Sequence, residues 1–140
     1  MAEPGTDKVQ FELVSPEALV LAREADMVVV PGAEGDFGVL PRHSLLISSV
    51  RPGIIAIHDG GSVEQRIFVS GGFAEVTPER CTVLAEEAVE VGAIDRAGVE
   101  AELKDLSDDL SDAASDEDRT KIERAIVIAQ SKLAAAQSSA

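Results

Sequence analysis

The residues that interrupt regular structure are confined to the first two thirds of the chain. All six prolines and nine of the 11 glycines lie before Gly92, and beyond it only Gly98 follows. Proline and glycine mark turns and strand ends and are unfavourable inside helices. The sequence therefore predicts an all-β domain over residues 1–91 and a helical domain over residues 92–140.

Short apolar runs in the first domain predict strands. Val9, Phe11 and Leu13 alternate with polar residues at period two, which is typical of a strand with one buried face. Further apolar runs occupy residues 45–50, 54–57, 63–69 and 81–84. Gly60 and Gly61 separate two of these runs and supply the positive φ of a tight turn, so residues 54–69 are predicted to form a hairpin. Many short strands at regular spacing predict an antiparallel sandwich or flattened barrel.

The last third of the chain carries two amphipathic patterns. Asp95 precedes the first as an N-cap, and Ser115 with Asp118 three positions later resembles a capping box before the second. The apolar stripes are Val99, Leu103, Leu106 and Leu110 on the first helix, and Ile122, Ala125, Ile126, Ala129, Leu133 and Ala136 on the second. Each apolar stripe must be buried against a partner, and the connection between the two helices is short. The two helices are therefore predicted to pack as an antiparallel αα-hairpin.

Composition excludes several classes of partner. The chain has 26 acidic against 12 basic side chains, a net charge of -14, which argues against binding to nucleic acid or to anionic lipid. The N-terminus lacks the features of a secretory signal, and the apolar run at residues 27–30 is far short of the roughly 18 residues that span a bilayer. With a single Cys81 and two histidines, there is no zinc-ligand pattern, and Cys81 is expected to be a buried strand residue.

No catalytic motif stands out. The sequence VSGGF around Ser70 lacks the first glycine of a nucleophile elbow, and PGAEGDFG at residues 31–38 is neither a dinucleotide fingerprint nor a phosphate loop. Acidic pairs such as Glu86 and Glu87 are typical of a solvated surface. His43 lies in a stretch rich in glycine and proline, where a loop histidine bonded to backbone is the simplest interpretation.

Two stretches carry a family resemblance: PGAEGDFGVLPRHSLLISSVRPG at residues 31–53 and FVSGGFAEV at residues 68–76. They resemble the epsilon subunit of the bacterial F-type rotary ATP synthase, the homologue of mitochondrial delta. The resemblance covers essentially the whole chain. It implies a β-sandwich followed by a helical hairpin, in a non-catalytic subunit of the central stalk. Such a subunit binds the gamma subunit and the c ring at the cytoplasmic face of the bacterial inner membrane, and reaches the membrane only through the complex.

The resemblance also assigns roles to particular residues. Glu34, Asp36 and His43 occupy positions that face the polar loops of the c ring, and carboxylates opposite arginines of those loops would form charge-assisted hydrogen bonds. The family's hairpin can extend toward the alpha and beta catalytic subunits and inhibit ATP hydrolysis. Because this hairpin is acidic, we expect only weak inhibition.

Some members of the family bind ATP through a motif of the form I/L-D-x-x-R-A. Here Asp95 is kept, but Gly98 and Val99 replace the arginine and alanine, and of a second arginine pair only Arg124 remains. We therefore expect no cofactor, with Asp95 and Arg124 as remnants of the motif. Two alternatives stay open: an ATP-sensing regulatory module, and a free-standing acidic β-sandwich binding protein that dimerises through its hairpin.

Overall fold

The computed structural model describes residues 7–138. The chain divides into two compact units, one ending at Glu90 and the other beginning at Val91, beside the predicted boundary at residues 91 and 92. The first unit is all β and the second is helical, so the predicted fold class is confirmed.

Ten strands form the first unit. They span Val9–Val14 (β1), Leu19–Ala25 (β2), Met27–Gly32 (β3), Gly35–Val39 (β4), Leu46–Val50 (β5), Gly53–Asp59 (β6), Ser62–Val69 (β7), Gly72–Val76 (β8), Arg80–Ala85 (β9) and Ala88–Glu90 (β10). The strands are hydrogen-bonded in the order β10-β7-β6-β3-β5-β8-β9-β1-β2, and β4 pairs with β3. The sheet curls into a nearly closed, flattened barrel around one apolar core.

The predicted alternation on β1 is confirmed. Val9, Phe11 and Leu13 are fully buried and face the core, together with Cys81 on β9. The core is built mainly from valine, isoleucine, leucine and alanine, since the chain has only four phenylalanines and no tryptophan or tyrosine. The predicted hairpin is also confirmed, with β6 and β7 joined through Gly60 at φ 62° and Gly61 at φ 83°.

Two features of the sheet differ from the expectation. First, β1 and β9 pair in parallel, whereas every other pairing among the described strands is antiparallel. The β1 and β9 segments lie about 70 residues apart in the sequence, and no local sequence pattern indicates the direction of their pairing. Second, the glycine-rich residues 31–38, whose turn-forming residues favour a loop, lie mostly on β3 and β4, and only residues 33 and 34 form the turn between the two strands.

Strand direction sorts the turns into two sets. Connections after β1, β3, β5, β7 and β9 lie at one end of the barrel, which we call the Glu34 end. Connections after β2, β4, β6 and β8 lie at the opposite end, which we call the His43 end. The registers fix this assignment, since Gly32 pairs with Val50, and Val50 in turn with Gly72.

The second unit begins with a single 3-10 turn at Val91–Ala93 and continues with helices α1 (Arg96–Ser111) and α2 (Asp116–Gln137), which pack together as a hairpin. Both predicted N-caps are confirmed: the Asp95 carboxylate accepts from the Gly98 amide at 3.1 Å, and the Ser115 hydroxyl accepts from the Asp118 amide at 3.1 Å. Within residues 7–138, no helix has both the length and the apolarity needed to cross a membrane.

Candidate interaction surfaces

The turn between β3 and β4 carries the first predicted interface residue, Glu34. Gly35 has φ 140°, and a Cβ added at Gly32 would lie 2.7 Å from the Gly35 carbonyl oxygen. Only glycine allows the two legs of the turn to approach this closely. Glu34 is exposed at the tip, and within the described chain its carboxylate has no ion-pair or hydrogen-bond partner. The carboxylate is therefore available to another molecule.

Asp36, the second predicted interface residue, lies on a strand rather than in an open loop. It is the second residue of β4, opposite Pro31, and 60% of its side chain is exposed. Arg51 Nη2 donates to Asp36 Oδ1 at 2.5 Å, and Arg51 Nη1 donates to the Gly32 carbonyl oxygen. The Asp36 carboxylate is thus already paired within the described chain, whereas the Glu34 carboxylate is not.

His43 lies at the opposite end of the barrel from Glu34. The strand β4 separates them, and a strand rise of about 3.3 Å per residue places them roughly 15 Å apart. His43 Nδ1 lies 2.8 Å from the Ser44 carbonyl oxygen, and the preceding Arg42 amide donates to the Pro78 carbonyl oxygen at 2.9 Å. The structure therefore brings Glu34 and Asp36 to one turn and places His43 elsewhere.

A third surface is apolar and was not found from the sequence. Ile47 on β5, Phe73 on β8 and Leu84 on β9 point outward and are 74%, 59% and 53% exposed. Phe73 and Leu84 are direct cross-strand partners, and Ile47 stands opposite Glu75 in the next row. With Glu75 and Thr82 these side chains line a shallow depression of about 220 Å³. We call Ile47, Phe73 and Leu84 the apolar face.

The sequence signal for the apolar face is an apolar residue at a strand position that, by the alternation of buried and exposed residues, faces the solvent. On β8, Ala74 and Val76 are fully buried, so Phe73 must point outward with Glu75. A single such residue is common on a protein surface, and only the sheet order shows that three of them are neighbours. Contiguous exposed apolar patches are typical of surfaces that contact another protein.

Gly72 brings the two strands beneath the apolar face close together. Its φ is 148°, and a Cβ at this position would lie 1.8 Å from the Leu84 carbonyl oxygen. The glycine pair at residues 71 and 72 thus includes one close backbone approach, at Gly72. Phe73, the next residue, owes its position opposite Leu84 to this contact.

The two remnants of the ATP motif lie on separate elements of the hairpin. Asp95 caps α1, so its carboxylate already accepts a backbone hydrogen bond. Arg124 is exposed on α2. In the part of the chain that the structure describes, no hydrogen bond or ion pair joins the two residues.

The other reactive side chains are engaged in structure. Burial raises the pKa of the Cys81 thiol to about 12, so the thiol stays protonated and unreactive at neutral pH. Over residues 7–138, no cluster of three or more histidine, cysteine, aspartate or glutamate side chains is placed to hold a metal ion.

Two family models match the chain almost end to end. The β-sandwich domain of the ATP synthase delta/epsilon chain matches residues 8–91, and the C-terminal domain of the ATP synthase epsilon chain matches residues 95–140. The chain belongs to the ATP synthase epsilon chain family. The resemblance carried by the two glycine-containing stretches is thereby confirmed. As a member of this family, the chain is a non-catalytic accessory subunit.

Individual relatives agree with the assignment. ATP synthase epsilon chains from Paramagnetospirillum magneticum and Rhodospirillum rubrum are 53% and 49% identical to this chain over 92% of its length, covering 97% and 96% of those proteins. A chain in the cryo-EM structure of the Euglena gracilis mitochondrial ATP synthase, OSCP/F1/c-ring, superposes with a TM-score of 0.78. That match has 24% identity and covers 92% of this chain and 81% of the other, which shows a shared fold.

Proposed function

We propose that this epsilon chain is a rotor subunit in the central stalk of a bacterial ATP synthase, where it joins the gamma subunit to the c ring. It lies at the cytoplasmic face of the inner membrane and associates with the membrane only through the complex. Family membership supports the assembly. Two surfaces of different chemistry support the two partners.

The apolar face is the observation that carries the proposal. Burying large exposed apolar side chains against a partner removes their surface from water and so lowers the free energy of the complex. This stabilisation depends neither on salt bridges nor on ionic strength. A subunit that turns with the rotor needs a lasting contact of this kind. We therefore assign the apolar face to gamma, with Phe73 at its centre because it lies between β5 and β9.

The turn between β3 and β4 suits the c ring. The polar loops of a ring present hydrated and charged groups, and an exposed carboxylate such as Glu34 can pair with an arginine there. Asp36 lies on β4, directly after the same turn, and His43 lies at the opposite end of the barrel. We therefore restrict the proposed ring contact to Glu34 and Asp36 and leave His43 outside it.

The helical hairpin is proposed to regulate hydrolysis only weakly. Residues 92–140 carry six basic and 11 acidic side chains, a net charge of -5. By the family resemblance, an extended hairpin grips an acidic segment of the catalytic beta subunits. Like charges across that interface oppose the contact.

The gamma contact can be tested by replacing Phe73 with glutamine in the full chain and measuring its affinity for purified gamma. Full burial of a phenylalanine stabilises a contact by about 1.5–3 kcal/mol, and the exposed 59% of Phe73 gives about 1–2 kcal/mol. Phe73→Gln should therefore weaken binding roughly 5- to 30-fold.

The matched control is Val63→Gln. Val63 is also exposed, at 38%, but lies on β7, outside the apolar face. This substitution should leave gamma affinity unchanged. Equal affinities for the Phe73 and Val63 variants would remove the apolar face from the gamma contact. A chain that failed to coelute with alpha, beta and gamma from solubilised membranes would contradict the assembly itself.

A further inference from the structure

The basic residue beside the turn of β3 and β4 has a role that the proposed function does not include. We propose that Arg51 is a positioning residue that clamps this turn and neutralises Asp36, so that Glu34 is the acid presented to a basic group of the partner. The inference rests on the proposed ring contact and narrows it from two carboxylates to one.

The geometry of the guanidinium carries the argument. Arg51 follows β5 and reaches both legs of the turn at once. Its Nη1 donates to the carbonyl oxygen of Gly32, the last residue of β3, and its Nη2 donates to the carboxylate of Asp36 on β4. A planar group with donors in a fixed fork can bridge two acceptors in this way, whereas the single ammonium of a lysine is a point charge.

The backbone around Arg51 is fixed by further hydrogen bonds. The Arg51 amide donates to the Pro31 carbonyl oxygen at 2.9 Å, and the Ala33 amide in the turn donates to the Ser49 carbonyl oxygen at 2.9 Å. The guanidinium therefore extends from an anchored segment to a turn that is itself tied to β5. The Ala33 amide lies inside this arrangement and can report on whether the clamp is closed.

Of the two carboxylates at the turn, only that of Asp36 is neutralised by a nearby basic side chain among the described residues. Asp36 and Arg51 form a neutral pair, and in the described chain Glu34 has no cation within ion-pair distance. An approaching basic partner meets one uncompensated carboxylate, at the tip. Glu34 should therefore set the ionic-strength dependence of the contact, whereas the Asp36 and Arg51 pair should set the shape of the turn.

Hydrogen exchange in the isolated full chain tests the clamp. Arg51→Met should speed exchange of the Ala33 amide by roughly three- to tenfold, the range expected when a partly exposed ion pair and one hydrogen bond are lost. The matched control is Arg42→Met, because Arg42 is an arginine in an ion pair with Asp7 at the opposite end of the barrel. Unchanged Ala33 exchange in Arg51→Met would overturn the inference.

Reconstitution with epsilon-depleted enzyme at several salt concentrations tests the division of charge. Glu34→Gln should flatten the salt dependence of rebinding. The charge-neutral double variant Asp36→Asn/Arg51→Met should bind less tightly but keep the wild-type salt dependence. If the double variant instead loses the salt dependence, Asp36 contacts the partner directly and the inference is wrong.

The two measurements separate the inference from the proposed function. Faster Ala33 exchange in Arg51→Met, combined with rebinding that no turn variant affects, would support the clamp and refute the ring contact. Altered rebinding in Glu34→Gln, with no change of Ala33 exchange in Arg51→Met, would support the ring contact and overturn the clamp.

Discussion

Replacing Gly72 with alanine should be among the most damaging single-methyl changes in the barrel. The added Cβ would lie 1.8 Å from the Leu84 carbonyl oxygen and 2.9 Å from the Leu84 carbonyl carbon, and both are backbone atoms. A side chain cannot rotate away to relieve this clash, so β8 and β9 must separate. Gly72 is also paired with Val50 on β5, so a shift disturbs both neighbours of β8.

The magnitude follows from two contributions. A non-glycine residue forced to φ 148° stores about 1–3 kcal/mol of backbone strain. Separating the strand ends loses one or two ladder hydrogen bonds, each worth about 1 kcal/mol net. We expect Gly72→Ala to lower the free energy of unfolding of the barrel by about 2–5 kcal/mol. That is a large share of the roughly 5–15 kcal/mol of a typical domain.

Urea unfolding followed by circular dichroism measures this loss, since the chain has no tryptophan or tyrosine for intrinsic fluorescence. Two controls separate the causes. Gly38→Ala places its Cβ 3.2 Å from the flexible Met27 thioether at an ordinary φ, and should cost less than about 1 kcal/mol. Gly60→Ala has open space but φ 62°, and should cost about 1–2 kcal/mol from backbone conformation alone.

A loss below about 1 kcal/mol in Gly72→Ala would refute this reasoning, because it would show that β8 and β9 can separate at little cost. A second readout is gamma affinity. Phe73 and Leu84 are held side by side by the contact at Gly72, so the variant should also bind gamma less tightly than Gly38→Ala.

Four further predictions concern stability and the hairpin. The Gly60 amide and Lys8 hold the pKa of the Asp26 carboxyl below its usual 3.8, so the charged carboxylate stabilises the fold above that pH. This stabilisation is lost as pH falls through the folded-state pKa. In urea unfolding, wild type should therefore be more stable than Asp26→Asn at pH 6, the difference should shrink below about pH 4, and a difference independent of pH would contradict the prediction. Truncation after Val91 should leave a β-protein that unfolds cooperatively and binds gamma, because the two units are separately compact; an aggregated or molten product would contradict this. The same truncation should activate ATP hydrolysis by the parent enzyme less than tenfold, because the hairpin is acidic, and stronger activation would contradict this. Equilibrium dialysis should detect no ATP bound to the full chain, and saturable binding would contradict that expectation.

Local features were predictable because their causes lie within a few residues. The change of composition at Gly92 separates strands from helices, since glycine and proline act on their own backbone. Asp95 and Ser115 cap helices through amides only three positions ahead. The hairpin of β6 and β7 follows from two adjacent glycines. The family resemblance also predicted that the chain belongs to the ATP synthase, because the resemblance depends on the spacing of glycine, proline and histidine residues along the sequence.

The tertiary structure decided everything that depends on which distant segments meet. Asp36 and Arg51 are 15 positions apart, and their pairing exists because β3, β4 and β5 converge at one end of the barrel. Glu34 and His43 are close in sequence, yet an intervening strand carries them to opposite ends. The apolar face exists because the sheet order places β5, β8 and β9 side by side. Strand order and register are set by how the apolar residues of all the strands pack together in one core. No short segment of the sequence contains that information.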